Sequence, residues 1–220
     1  MLQPILHVLN AQRIVLASGS PRRKQILGNI GLKFEVIPST FEENLDKSQF
    51  SHPSEYVKET ARLKTLEVAK RLKNDERVPD FIIGADTVVA MDTNIYEKPK
   101  DKEDLLIKCN SEKNTLFHLC TIIFSSLFYI FFLVIKSGCV CDGFRVNIFH
   151  EATDVIMVDM SEEIINSYIE TGEPMDKAGG YGIQAIGGTL VTGIKGDYFN
   201  VMGFPLHNFS KQLYNLYKQL

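Results

Sequence analysis

The sequence predicts an α/β protein, because short apolar runs typical of buried strands alternate with segments whose apolar residues recur at helical spacing. The composition agrees with a globular domain, since 45% of the 220 residues are hydrophobic and 23% are charged. The 24 Lys and Arg residues against 27 Asp and Glu give a net charge of −3. That balance excludes a strongly basic nucleic-acid wrapper, and we expect no nucleic-acid partner.

The first strand and helix are predicted from residues 13–29. The apolar run 13–17 ends in a turn of small residues, as a buried strand would. Ser20 is a favourable N-cap and Pro21 a favourable first helical residue. The helix should end near Asn29, with Gly31 just beyond it.

The later elements follow from the same patterns of apolar residues. Further strands are predicted at residues 32–37, 81–89, 155–158, 189–194 and 199–202. Further helices are predicted at residues 54–73, 101–108, 161–170 and 206–220, and the Gly-rich stretch 176–184 is predicted to be a loop.

The cysteines and the N-terminal residues indicate a reducing compartment. All four cysteines lie in one central stretch, at positions 109, 120, 139 and 141. A disulfide-stapled secreted protein would spread them along the chain. The first 13 residues contain no basic segment followed by a long apolar run, so we expect no signal peptide and a cytoplasmic protein.

The turn that enters the first predicted helix is a candidate anion site. Backbone N–H groups and the helix dipole favour an anion at a helix N-terminus. Arg22 and Arg23 add guanidinium donors suited to phosphate oxygens. The alternative is a capped helix with two solvated arginines.

A single acid, Asp86, interrupts the apolar run 81–89. A buried carboxylate is costly unless it is paired or bound to a metal. Asp86 is therefore a candidate ligand of Mg²⁺ or a group that activates water. The alternative is an aspartate at a strand end that caps a neighbouring turn.

Other candidates lie in loops. Lys98 is in a turn, Lys177 could meet a phosphate, and Gln184 offers a donor and an acceptor to a base edge. Glu43 and Lys64 belong to residue types that are more often surface charges. A polyphosphate bound with a divalent metal would satisfy both signs of charge, at the strand-end loops where α/β sheets usually bind ligands.

Four segments, LASGSPRR, GADT, EKP and DKAGGYGIQ, occur in this order, and together they resemble the Maf family of nucleoside triphosphate pyrophosphatases. The resemblance covers about residues 13–106 and 150–217. The eukaryotic Maf-like domain that is joined elsewhere to a methyltransferase is especially similar, and we expect no methyltransferase half within these 220 residues. It implies a Maf-like (ITPase-like) α/β fold with a central mixed sheet, flanking helices and two lobes around a cleft. We expect one domain over residues 1–220, with an N-terminal extension at 1–12, and a homodimer is one expectation.

The resemblance also implies an activity and a set of site residues. The protein would hydrolyse dTTP or UTP, or modified nucleotides, to the monophosphate and pyrophosphate with Mg²⁺ or Mn²⁺. Asp86 would be the general base and, with Glu43, a metal ligand. Arg22, Thr87 and Gln184 would tune substrate choice. The residues implied to bind substrate are Ser20, Arg22, Arg23, Lys64, Thr87, Lys98, Lys177 and Gln184.

The resemblance fails in an atypical apolar segment, residues 107–149. Within it, residues 116–135 carry no Asp, Glu, Lys or Arg and are long enough for a transmembrane helix. Such a helix would put Asp86 and Lys177 on opposite sides of a membrane, so no membrane partner is expected. The segment could instead form a divergent pair of buried strands. We favour a third hypothesis, that it is not native coding sequence, because the composition changes abruptly between intact motifs. A catalytically inactive nucleotide-binding or interaction module is the alternative function.

Overall fold

The computed structural model describes residues 1–91, 94–105, 126–137 and 144–219, and for residues 126–137 and 144–145 it describes the backbone alone. The strands are β1 (Ile14–Leu16), β2 (Glu35–Val36), β3 (Phe81–Met91), β4 (Asn94–Tyr96), β5 (Ser126–Ser137), β6 (Phe144–Met157) and β7 (Val191–Lys195). The helices are α1 (Leu6–Leu9), α2 (Pro21–Asn29), α3 (Pro53–Arg71), α4 (Glu162–Glu170), α5 (Tyr198–Val201) and α6 (Leu206–Lys218).

The strands form one mixed sheet in the order β2-β1-β3-β5-β6-β7, which confirms the predicted fold class. Strand β1 lies parallel to β2 and to β3, whereas β3, β5, β6 and β7 pair antiparallel in turn. The short strand β4 is antiparallel to the end of β3.

One edge of β3 has a gap in its strand pairing. Strand β5 covers the other edge continuously, from Phe81 to Ala90. On the gapped edge, β1 pairs only with residues 81–83 and β4 only with residues 89–91. Among the described strands, residues 84–88 therefore have no partner on this edge, and Asp86 lies in the middle of the gap.

Helix α3 packs closely on β3. Its buried residues include Ala61, Thr65 and Val68. At Gly84, an added Cβ would lie 1.7 Å from the Thr65 Oγ1 atom, so only glycine permits this approach. The close packing brings Lys64, the neighbour of Thr65, within reach of Asp86.

The N-terminal residues belong to the core. Leu2, Ile5 and Leu9 are buried in the same cluster as Phe209 and Leu213 of α6. The predicted N-terminal extension therefore closes one side of the apolar core, because its apolar side chains pack against the last helix.

The capping residues in the sequence correctly predicted where α2 and α4 begin. The Ser20 side chain accepts a hydrogen bond from the Arg23 N–H, and Pro21 begins α2. Ser161 caps α4 in the same way, through the Ile164 N–H. Beyond the end of α2, Gly31 has a φ of +80°, which glycine tolerates best.

Three strand predictions need correction. Residues 199–202 do not form a strand, because Asp197 caps a helical turn there by accepting from the Phe199 N–H. The strand predicted at 32–37 contains only Glu35–Val36. The strand predicted at 155–158 is the end of the much longer β6.

The atypical apolar segment contributes β5 and the first six residues of β6, which pair antiparallel, as the interpretation of the segment as a pair of strands expected. Residues 126–137 form β5, between β3 and β6, so the part of the apolar run from 126 to 135 is not helical. Residues 116–125 and all four cysteines lie outside the described residues, as does the end of the helix predicted at 101–108, of which 102–105 are helical. In the described ranges no helix is long and apolar enough to cross a membrane. The hypothesis that this segment is not native coding sequence stays a prediction.

Candidate active site

A cavity of about 750 Å³ opens where β3 has its gap, between the turn after β1 and the loop around residues 176–185. All ten residues that the sequence motifs singled out line it: Ser20, Arg22, Arg23, Glu43, Lys64, Asp86, Thr87, Lys98, Lys177 and Gln184. Residues separated by up to 164 positions in the chain are thus brought to one site. Their roles in it depend on the contacts that each makes.

Lys64 joins the two acids of the cavity. Its Nζ atom lies 2.9 Å from Oδ1 of Asp86 and 2.6 Å from Oε1 of Glu43. The side chains of Asp86 and Lys64 are only 12% and 15% exposed, so little water screens their pairing. Burial raises the pKa of Asp86 above its ordinary value, and the positive charge of Lys64 opposes that rise only in part.

Glu43 and Asp86 fit a magnesium or manganese ion. Hard divalent cations take oxygen ligands, and Mg²⁺ usually binds one or two carboxylates together with waters and substrate phosphates. Both carboxylates contact the same cationic atom, Nζ of Lys64, so they converge on one point. In the part of the chain that the structure describes, no group of three or more His, Cys, Asp and Glu side chains could hold a metal by itself. A metal held by these two carboxylates would take its other ligands from oxygen atoms of water or of a substrate.

The two adjacent arginines have different surroundings. Arg23 donates to the Ser18 hydroxyl (2.8 Å), the Ala85 carbonyl (2.9 Å), the Thr87 hydroxyl (2.8 Å) and the Gly203 carbonyl (3.0 Å). The Arg22 side chain lines the cavity, and no hydrogen bond or ion pair joins it to another residue in the described ranges. Successive residues on a helix point about 100° apart, so the two arginines meet different groups although both line the cavity.

The Thr87 hydroxyl oxygen already accepts one hydrogen bond from the protein. It accepts from the Arg23 guanidinium, which has donors only. Its own proton must therefore point away from Arg23. A ligand atom beside Thr87 in the cavity is favoured when it can accept a hydrogen bond, as a carbonyl oxygen does.

The opposite side of the cavity is a loop organised by Glu173. The Glu173 carboxylate accepts from the N–H groups of Ile186 (2.9 Å) and Gly187 (3.0 Å) and from the Tyr168 hydroxyl (3.1 Å). Lys177 donates to the Glu173 carbonyl and to the Asp176 carboxylate, both at 2.6 Å. Burial raises the pKa of Glu173, but the hydrogen bonds from Gly187 and Ile186 outweigh it and lower the net pKa.

The sequence as a whole matches a known family. A model of the family described as Maf-like protein matches residues 13–216. The chain belongs to the Maf family. This confirms the resemblance drawn from the four motifs.

Three curated relatives show how far the similarity extends. A "Probable bifunctional dTTP/UTP pyrophosphatase/methyltransferase protein" of Homo sapiens is 47% identical over 221 residues, which is 99% of this chain and 34% of that protein. The chain thus spans about a third of the length of this human relative. A "dTTP/UTP pyrophosphatase" of Clostridium perfringens (strain 13 / Type A) is 39% identical over 92% of this chain and 96% of its own length. A "Nucleoside triphosphate pyrophosphatase" of Dictyostelium discoideum is 37% identical over 90% of this chain and 88% of its own length.

Sequence reasoning missed the residues that hold the Maf site together. Ser18 and Gly203 accept hydrogen bonds from Arg23, and Tyr168 and Glu173 fix the loop that carries Lys177. Only Ser18 lies within a motif, and none of the four has a local pattern that distinguishes a partner of a site residue from a surface residue. The Gly203 acceptor is a backbone carbonyl, which no side-chain pattern can reveal.

Proposed function

We propose that this Maf protein is a nucleoside triphosphate pyrophosphatase that hydrolyses dTTP or UTP to the monophosphate and pyrophosphate. The observation that carries the proposal is the pairing of two carboxylates, Glu43 and Asp86, with several cations around one cavity. A triphosphate with a divalent metal supplies the negative and positive charges that such a site would bind. The names of the curated relatives support the same activity.

Asp86 is the proposed general base. Its carboxylate would accept a proton from a water that attacks the α-phosphorus. The new bond joins the water oxygen to that phosphorus, and the bond to the oxygen bridging the α- and β-phosphorus breaks. Pyrophosphate leaves with that bridging oxygen, so no covalent enzyme intermediate is needed.

The proposed cofactor is Mg²⁺ or Mn²⁺, held by Glu43 and Asp86, and when bound it would neutralise charge on the triphosphate. Lys64 lies between the same two carboxylates and keeps them together. Arg22, Lys98 and Lys177 add positive charge along the cavity, where the departing pyrophosphate develops negative charge. Backbone N–H groups at the start of α2, which Ser20 caps, would bind a phosphate oxygen.

Preference for thymine or uracil is proposed to come from Thr87 and Gln184. The Thr87 hydroxyl is oriented as a donor, and thymine and uracil both carry carbonyl oxygens that accept. Gln184 lines the cavity and is exposed, and its amide can both donate and accept. Together they would suit a base edge with a carbonyl oxygen beside an N–H group.

The remaining proposals concern the setting of the protein. We propose a free nucleotide as the partner, a cytoplasmic location, and one Maf-like domain over residues 1–220. The net charge of −3 and the grouping of the cysteines support the first two. A homodimer is proposed from the family resemblance, and light scattering of the purified protein tests it.

The test is pyrophosphate release from dTTP, UTP and 7-methyl-GTP with Mg²⁺, in the wild type and in Asp86→Asn. We expect release from dTTP or UTP, and a loss of about 10²–10⁴-fold in Asp86→Asn, the usual contribution of a general base. Nucleotide binding without release by the folded wild type would refute the enzyme and favour the inactive module. Release that survives in Asp86→Asn would refute the role of Asp86 alone.

A further inference from the structure

We propose that Arg23 is a positioning residue, which fixes the backbone and side chains on both sides of Asp86, and that it does not bind the triphosphate. The inference rests on the proposed function, in which Asp86 activates water. It departs from the role that the sequence motif suggested, because Arg22 and Arg23 were both expected to bind phosphate.

The first argument is the gap in the sheet. The Ala17 N–H donates to the Ile83 carbonyl and completes the pairing of β1 with β3. The next carbonyl on the same edge of β3 belongs to Ala85, and it accepts from the Arg23 guanidinium at 2.9 Å. Arg23 therefore supplies the hydrogen bond that a longer β1 would have made. A buried carbonyl without a partner would be costly.

The second argument is the geometry on the other side of Asp86. The second guanidinium nitrogen of Arg23 donates to the Thr87 hydroxyl at 2.8 Å. Ala85 and Thr87 are the two chain neighbours of Asp86, so one planar group holds both. A rotation of the backbone at Asp86 would break at least one of these two bonds.

The third argument is the number of donors. A guanidinium has five N–H donors, and four of those of Arg23 are used by Ser18, Ala85, Thr87 and Gly203. Only one remains for a ligand, which is too few for the two-pronged binding of phosphate that favours arginine. Arg22, in contrast, lines the cavity, and its side chain makes no hydrogen bond with another residue in the described ranges, so its donors are not used up by the protein.

The test compares Arg23→Lys with Arg22→Gln in three measurements: kcat, the KM for dTTP, and the inhibition constant of inorganic tripolyphosphate. Arg23→Lys keeps the positive charge but cannot reach four acceptors. We expect its kcat to fall by at least about tenfold, while KM and the inhibition constant change by less than about threefold. We expect Arg22→Gln to raise the inhibition constant by at least about tenfold.

A second variant tests the same role of Arg23 in case Arg23→Lys fails to fold. Ser18→Ala removes one acceptor of Arg23, and it should lower kcat in the same direction by a smaller factor with an unchanged inhibition constant. A rise of the tripolyphosphate inhibition constant in Arg23→Lys as large as in Arg22→Gln would overturn the inference, as would an unchanged kcat.

The outcome separates this inference from the proposed function. If the wild type releases no pyrophosphate, the proposed function fails, and direct binding of tripolyphosphate by calorimetry decides the role of Arg23. Unchanged affinity in Arg23→Lys with weakened affinity in Arg22→Gln then supports it. Equal weakening in both, or no binding by the wild type, overturns it.

Discussion

The two walls of the cavity are held in different ways. The first, which we call the β3 wall, consists of residues 18–23 and 84–87. Hydrogen bonds from Arg23 to Ala85, Thr87 and Gly203 join positions 62, 64 and 180 residues apart. The second, which we call the glycine loop, consists of residues 173–187. The bonds within it from Lys177 and to Glu173 join positions no more than 14 residues apart.

The difference suggests that the two walls have different roles in the proposed reaction. The β3 wall is built into the sheet, which fixes the position of Asp86, and a group proposed to take a proton must be held in place. The hydrogen bonds of the glycine loop run mainly within the loop through Glu173, and its Tyr181 packs in the core cluster that contains Val89 of β3. The β3 wall would thus carry the proposed chemical centre, and the glycine loop would carry the proposed binding residues Lys177 and Gln184.

The largest expected difference between the walls is in how much stability is lost when a glycine is replaced by alanine. In Gly84→Ala the new Cβ would collide with Oγ1 of Thr65, which is held by its bond to the Ala61 carbonyl. In Gly182→Ala it would meet the flexible end of Lys177, at 2.5 Å from Cε. We expect Gly84→Ala to lower the free energy of unfolding by about 1–3 kcal/mol and Gly182→Ala by less than about 0.5 kcal/mol.

Urea denaturation of both variants measures this difference. Gly182→Ala should still lose activity, because Lys177 must move. Equal destabilisation by the two substitutions would show that the glycine loop is as rigid as the β3 wall.

A smaller effect is expected from Glu173→Gln. The substitution removes the charge that accepts from Ile186, Gly187 and Tyr168, and we expect kcat/KM to fall by about tenfold, since hydrogen bonds to charged groups contribute about 1.5–3 kcal/mol. The matched control is Glu170→Gln, because Glu170 is 72% exposed and pairs with Lys102 on the surface. Surface pairs of this kind contribute little, so the control should stay within about twofold of the wild type. A Glu173→Gln enzyme with wild-type kinetics would mean that the loop needs no such support.

The subtlest expected effect is on the pH dependence of stability, measured on metal-free protein. Glu173 has a lowered pKa, so its carboxylate stabilises the folded state above its unfolded pKa, and this is lost as the pH falls through the folded pKa. The stability deficit of Glu173→Gln should therefore be greatest near neutral pH and vanish in acid.

Asp86 should show the opposite sign. Its pKa is raised, chiefly by burial, so the ionised form costs stability at neutral pH, and the cost disappears as the pH falls through the folded pKa. Asp86→Asn should therefore be more stable than the wild type near neutral pH and equal to it in acid. Deficits of the same sign in Asp86→Asn and Glu173→Gln would contradict the opposite pKa shifts of the two walls.

Much of the site could be predicted from the sequence because its residues lie in short motifs. Each motif follows a local rule, such as the Ser20 cap, the buried acid in a strand, or the glycines of a loop. The difference between Arg22 and Arg23 could not be predicted, because it depends on where β1 ends relative to β3. That register is a long-range property, and no pattern within α2 encodes it.

The errors in the fold have similar causes. The run 199–202 is apolar and short, and such runs fit a strand and a helix equally well. Asp197, two residues before Phe199, was the signal that decides for a helix. The first eleven residues of β6 were not predicted, because polar residues such as His150 and Asp154 interrupt its apolar pattern.

The three-residue length of β1 has a consequence for how such enzymes could be redesigned. Extending β1 by four residues, to the register of Thr87, would complete its pairing with this part of β3 and displace the Arg23 guanidinium, so that a nucleotide could not approach Asp86 from this edge of the sheet. Access to the proposed reaction centre is therefore set by the residue at which β1 ends, because among the described strands β1 and β4 leave residues 84–88 unpaired on this edge.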